Sequence, residues 1–122
     1  MKTILYVEDD SVLVNVVIRK LQEIEDVKLL LAWDGEQAVD LLSRHKPDVL
    51  LTGINMPKMN GLDLLKYVRG KEWEFPVLIL SNMGDKKFIT EVMAAGATDY
   101  FVKNDVTTKQ LWEKLEKYLH SK

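Results

Sequence analysis

Short apolar runs alternate five times with stretches of helical spacing along this chain, and that alternation leaves few folds open. The runs are Ile4–Val7, Val27–Leu31, Val49–Leu51 and Val77–Leu80, with a weaker fifth at Tyr100–Val102. Runs this short and continuous suit strands buried on both faces, as in a parallel sheet covered by helices. Between them, apolar residues recur at helical intervals. Leu13, Val17, Leu21 and Ile24 share a face of the first segment, Ala38, Leu41 and Leu42 mark the second, and Leu62, Leu65 and Val68 the third. Phe88, Ile89, Val92 and Met93 mark the fourth, and Leu111, Trp112, Leu115, Tyr118 and Leu119 stripe the last. The expected fold is a doubly wound α/β sheet. Right-handed crossovers limit its strand orders, and its functional crevice belongs at the carboxyl ends of the strands.

Local signals agree. Asp34 with Gln37, and Thr107 with Gln110, have the spacing of reciprocal helix caps. Asp85 is placed to cap the fourth helix. Asn60-Gly61 and Ala95-Gly96 read as turns, and Pro47 and Pro76 lead into strands. Val12 and Val16 fall off the apolar stripe of the first helix, which predicts either extra burial or contact with a partner.

At 122 residues the chain predicts one domain spanning 1–122. It has no cysteine, which excludes disulfides and thiolate metal sites. The 17 basic and 19 acidic residues are scattered, with Arg19-Lys20 and Lys86-Lys87 the only basic doublets, so direct nucleic-acid binding is not expected. The run Ile4–Val7 is too short for a signal peptide or a membrane span, and a cytoplasmic setting is expected.

The crevice end gathers the chemistry. Glu8, Asp9 and Asp10 follow the first strand, and Gly53, Ile54, Asn55, Met56 and Pro57 the third. Ser81 and Asn82 follow the fourth strand, and Lys103 the fifth. An acidic triplet at a strand end is ordinarily a solvated loop with a helix cap, and a lone Lys is ordinarily solvated. Together, though, clustered acids, a hydroxyl and one ammonium are the groups that handle Mg²⁺ and phosphate.

These residues lie in the segments YVEDD, AWDGEQA, KPDVLLTGINMPKMNG, FPVLILS and AGATDYFVK. In order and spacing they resemble the landmarks of receiver domains of bacterial response regulators, the CheY-like modules of two-component phosphorelay signalling. The resemblance spans the whole chain and implies a flavodoxin-like (βα)5 fold with strand order 2-1-3-4-5. It implies a Mg²⁺ site at Glu8, Asp9 and the Asn55 carbonyl, and a phosphate-sensing switch at Ser81, Tyr100 and Lys103. It also places a phosphate-accepting aspartate at the end of the third strand, where this sequence has Gly53.

Glycine has no nucleophile, so an aspartyl phosphate cannot form there. A missing carboxylate leaves Mg²⁺ a weak or vestigial site, and no other cofactor is expected. Lys103 then needs a new anion, Glu8 or Asp9. Neither Thr52 nor Asp10 is expected to replace the acceptor, because Thr52 should face the other side of its strand. Asn104 stands where the family usually has a proline, so a trans bond is expected.

The leading reading is thus a receiver without its acceptor, not an enzyme, that signals by phosphate-independent protein binding. The alternative is an ordinary phosphorylatable receiver carrying an engineered Asp-to-Gly change at 53. A Mg²⁺-dependent phosphatase on the same fold lacks its nucleophile here, and a flavin protein would need a phosphate-cradling loop where three acids stand. His45 and His120 read as structural or solvated. The resemblance points to protein partners (a histidine kinase, phosphotransfer or output protein) at a face including Lys86, Lys87, Glu91, Tyr100, Lys109, Glu113 and Lys117, with a monomer or weak dimer expected.

Overall fold

The computed structural model describes residues 1–23 and 26–120. Five strands, β1 (Lys2–Val7), β2 (Val27–Ala32), β3 (Val49–Thr52), β4 (Val77–Ser81) and β5 (Asp99–Val102), pair in parallel in the order β2-β1-β3-β4-β5. Five helices alternate with them: α1 (Ser11–Gln22), α2 (Gly35–Leu42), α3 (Gly61–Gly70), α4 (Lys86–Ala94) and α5 (Thr108–Leu119). This is the expected architecture and strand order. Register follows the apolar runs, with Ile4 opposite both Leu29 and Val49, and Leu51 opposite Leu78. Side chains alternate between two cores. Leu5, Val7, Leu50, Val77 and Ile79 pack against Ala38, Leu42, Leu64, Leu65, Val68 and Val92 of α2, α3 and α4. On the other face Ile4, Tyr6, Val49, Leu51, Leu78 and Leu80 pack against Val14, Val17, Leu21, Leu111, Leu115 and Leu119 of α1 and α5.

The helix starts follow their capping chemistry. Asp34 accepts the Gln37 N–H at 2.8 Å, while the Gln37 side chain accepts the Trp33 N–H. Thr107 and Gln110 form the full reciprocal box. Asp85 does stand at the head of α4, but its side chain makes no capping bond.

Several local expectations change. Asn60-Gly61 is the start of α3, with Asn60 accepting the Asp63 N–H at 2.9 Å, because an Asn side chain that bonds the first turn works as a cap. The buried stripe of α1 runs through Val14, Val17 and Leu21, so Val14 takes the central place expected of Leu13, which is half-buried. Ile24 lies outside the described residues. Met93 is exposed, because Val92 alone of α4 reaches the sheet completely. Val12 and Val16 are 71% and 44% exposed, which removes extra burial as the reason for them.

The amino end of the sheet is closed by a residue that no motif marked. Arg69, in the last turn of α3, donates to Gly96 O at 2.9 Å, Trp73 O at 2.7 Å and Phe75 O at 2.9 Å. It also approaches Thr98 Oγ1 at 3.5 Å. The Thr98 hydroxyl oxygen accepts the Val77 N–H, so one guanidinium ties α3 to the entries of β4 and β5.

Candidate functional site

The acidic loop is built from the end of β1. The Glu8 N–H continues the sheet ladder to Ala32 O at 3.0 Å, which holds Glu8 in line with the strand and leaves it 3% exposed. Its Oε2 accepts the N–H groups of Asp9 and Asp10, at 3.2 and 3.1 Å. Its Oε1 lies 3.3 Å from the Lys103 ammonium, in a charge contact without the alignment of a hydrogen bond. Burial raises the Glu8 pKa, and the backbone N–H of Asp10 and the Lys103 charge oppose that rise. Asp10 is the α1 cap, accepting from Val12 N and Leu13 N. Asp9 is exposed.

Lys103 follows β5, and its N–H bonds Ser81 O at 2.8 Å, which aims the side chain across the end of the sheet. The side chain is 21% exposed. Gly53 follows β3 and donates to Val7 O at 3.0 Å. A Cβ on Gly53 would lie 3.2 Å from Glu8 Oε1 and 3.7 Å from Leu80 O. Its φ is outside the left-handed region, so the backbone does not require glycine. Gly61 differs: a Cβ there would stand 1.9 Å from Gly53 O, and only glycine fits. The Thr52 hydroxyl donates to Gly53 O at 2.9 Å and lies near the Met56 sulfur.

A second cluster surrounds the peptide groups of Met83. Ser81 Oγ accepts the Met83 N–H at 3.1 Å, and the Tyr100 hydroxyl donates to Met83 O at 2.6 Å. Burial raises the Tyr100 pKa, with Ser81 opposing it, so the phenol stays a donor through neutral pH. Side chains from β4 and β5 thereby grip the loop that leads into α4.

The structure therefore brings Glu8, Gly53 and Lys103 into direct proximity, and Ser81 and Tyr100 onto a shared residue, Met83. Asn55 is exposed in the loop after β3, and no contact joins it to either group among the described hydrogen bonds. Lys86 and Glu113 are exposed on α4 and α5, and Tyr100 on β5 is half-buried. The peptide after Lys103 is trans, as are all described ones. Sequence reasoning missed the Tyr6 hydroxyl, which is buried under Glu8 and Asp10 without a hydrogen-bond partner. A tyrosine in an apolar strand run was the available signal.

The acids do not fit Mg²⁺ as arranged. Among the described residues no three His, Cys, Asp or Glu side chains are grouped to hold a metal. Both Glu8 oxygens face donors, and Asp10 is engaged as a cap. An ion at Asp9 would be held by that one carboxylate and water, which makes a weak site.

Residues 4–116 match the response regulator receiver domain family. The chain is 36% identical over 119 residues to a chemotaxis protein CheY homolog of Campylobacter jejuni, covering 95% of this chain and 91% of that protein. It is 39% identical over 103 residues to the transcriptional regulatory protein CpxR of Escherichia coli, covering 84% of this chain but only 43% of CpxR. Among solved structures, the BeF3-activated receiver domain of Klebsiella pneumoniae RstA superposes with a TM-score of 0.89 at 26% identity, covering 98% of this chain and 100% of that one. With sheet order and extended sequence similarity in agreement, this chain belongs to the response regulator receiver domain family.

Proposed function

We propose that this receiver is a two-component signalling module that acts by phosphate-independent protein binding, with Gly53 at the place of the phosphoacceptor. Receiver domains are signalling domains, and they work through histidine kinases and output domains. One observation carries the reading. The residue whose Cβ direction points at Glu8 Oε1 and Leu80 O, at the carboxyl end of β3, is a glycine with no nucleophile. Thr52, the adjacent hydroxyl, is fully buried and bonded to Gly53 O, which supports excluding it as a substitute. Ser81, Tyr100 and Lys103 then serve as the remains of the phosphate-sensing switch, and the Lys86–Tyr100–Glu113 face as the surface for partners. CpxR is a transcriptional regulator of more than twice the matched length, so an output domain on the same polypeptide is one form such a partner takes.

A second reading is favoured by the ordinary backbone at 53, which can carry a side chain. On that reading the chain is a competent receiver with a single Asp-to-Gly change. Incubation with acetyl phosphate and Mg²⁺, read by intact mass, tests the main proposal. The protein should gain no phosphoryl adduct, and an adduct on any residue would overturn it. A Gly53→Asp variant that gains one would establish the second reading.

A further inference from the structure

The crevice should be considered by its charges. Glu8 is one buried carboxylate, 3% exposed, and the Lys103 ammonium stands 3.3 Å from its Oε1. Gly53 contributes no charge, and a Cβ there would already be 3.2 Å from that same oxygen. A buried carboxylate without a nearby cation is strongly disfavoured by desolvation. One ammonium against one carboxylate removes that difficulty.

Adding a divalent ion to this arrangement creates a different one. Glu8, Lys103 and the ion together would carry two net positive charges at a largely buried point, with only exposed Asp9 and Asp10 beside them. Lys103 would repel the incoming ion across a few ångströms of poorly screened space. Glu8 Oε2 is also taken by two backbone N–H groups.

We propose that the Lys103 ammonium is the resident cation of this site, holding beside Glu8 the place that receiver domains usually give to Mg²⁺. The site is then complete without metal, and Lys103 is a positioning residue that fixes the end of β5 against the β1–α1 loop. This rests on reading Gly53 as the acceptor position, since an aspartate there would add a carboxylate beside Glu8 and Asp9 for a divalent ion.

Removing the ammonium should create a metal site, which a merely structural lysine would not do. Lys103→Met keeps the length of the side chain and loses the charge, whereas Lys103→Arg keeps the charge. Amide spectra of residues 8–10 would be followed while Mg²⁺, and separately Mn²⁺, is titrated into each protein. The unmodified chain and Lys103→Arg should show no saturable shift or broadening at millimolar ion, and Lys103→Met should bind at least tenfold more tightly than either. Saturable binding by the unmodified chain, or no gain in Lys103→Met, overturns the proposal. If Lys103→Met does not fold, the side-chain ammonium resonance of Lys103 decides. It should be observable in the unmodified chain and shift on Glu8→Gln, and an ammonium signal indifferent to Glu8→Gln overturns the proposal. Phosphoryl uptake from acetyl phosphate would defeat the phosphate-independent reading while leaving these metal titrations to be judged separately.

Discussion

The two ends of the sheet each carry one inward-reaching cation, and they use it in opposite ways. At the amino end, Arg69 directs its donors at three main-chain carbonyls and a hydroxyl, from Trp73, Phe75, Gly96 and Thr98. At the carboxyl end, Lys103 faces one carboxylate in a contact that lacks hydrogen-bond alignment. The planar guanidinium matches fixed carbonyls, and the compact ammonium acts as a point charge. A saturated cation works as a fastener. An unsaturated one, sitting beside a carboxylate with a free lone pair and a residue without a side chain, leaves polar capacity unused at the end of the sheet.

The contrast can be broken at either end. Arg69→Met should be the most damaging change, costing about 2–4 kcal/mol because several carbonyls lose charged donors together. The urea midpoint should fall accordingly, and a variant as stable as the parent would show that the amino end is not fastened by Arg69. Lys103→Met should cost less, about 1–3 kcal/mol, since it strands the buried Glu8 but removes a single charge contact that lacks hydrogen-bond alignment. If it cost more than Arg69→Met, the ranking of the two ends would be reversed.

Tyr6→Phe should go the other way. Its hydroxyl is buried without a partner, so deletion should stabilise by about 1 kcal/mol. It should also change the alkaline limb. Burial raises the pKa values of Tyr6, Tyr100 and Tyr118 above the ordinary 10.0. The folded protein therefore holds phenolic protons more tightly than the unfolded chain. That stability is fully present below about pH 10 and is lost as pH climbs through the folded values. Denaturant unfolding followed from pH 9 upward, in the range of ordinary phenol titration, should show this decline. Tyr6→Phe should flatten it, and an unchanged slope would remove Tyr6 from the account. Gly53→Ala should matter least, within about 1 kcal/mol, as reduced backbone freedom offsets a tight contact with a movable carboxylate. A larger loss would mean that Glu8 cannot yield.

Much of the fold could be read from the sequence because its elements are regular. The continuous apolar run Ile4–Val7 and the helical spacing in Leu111–Leu119 are local patterns, and the Thr107–Gln110 cap needs only four residues. The pairing of Lys103 with an acid of the first loop followed from the resemblance together with charge, although Glu8 and Asp9 could not be separated without knowing that Glu8 turns inward. Arg69 was invisible for a physical reason. Its acceptors are mostly backbone carbonyls, which every residue has, and one of them is 27 positions away. The Tyr6 hydroxyl was hidden because an apolar run says that a side chain is buried, not whether its polar tip finds a partner. Val14 displaced Leu13 from the centre of the α1 stripe because helix rotation is set by packing against α5 and the sheet, which spacing fixes only to within a residue.

The peptide at Gly53 serves two masters. Its α-carbon looks toward Glu8, while its carbonyl accepts the Thr52 hydroxyl and backs directly onto Gly61 at the head of α3. The two sides are sterically independent: a Cβ at 53 comes nearest the Glu8 carboxylate, whereas one at 61 meets the Gly53 carbonyl oxygen. The shape of the loop is thereby uncoupled from the chemistry of the crevice, and a side chain can be exchanged at 53 without asking anything of residue 61.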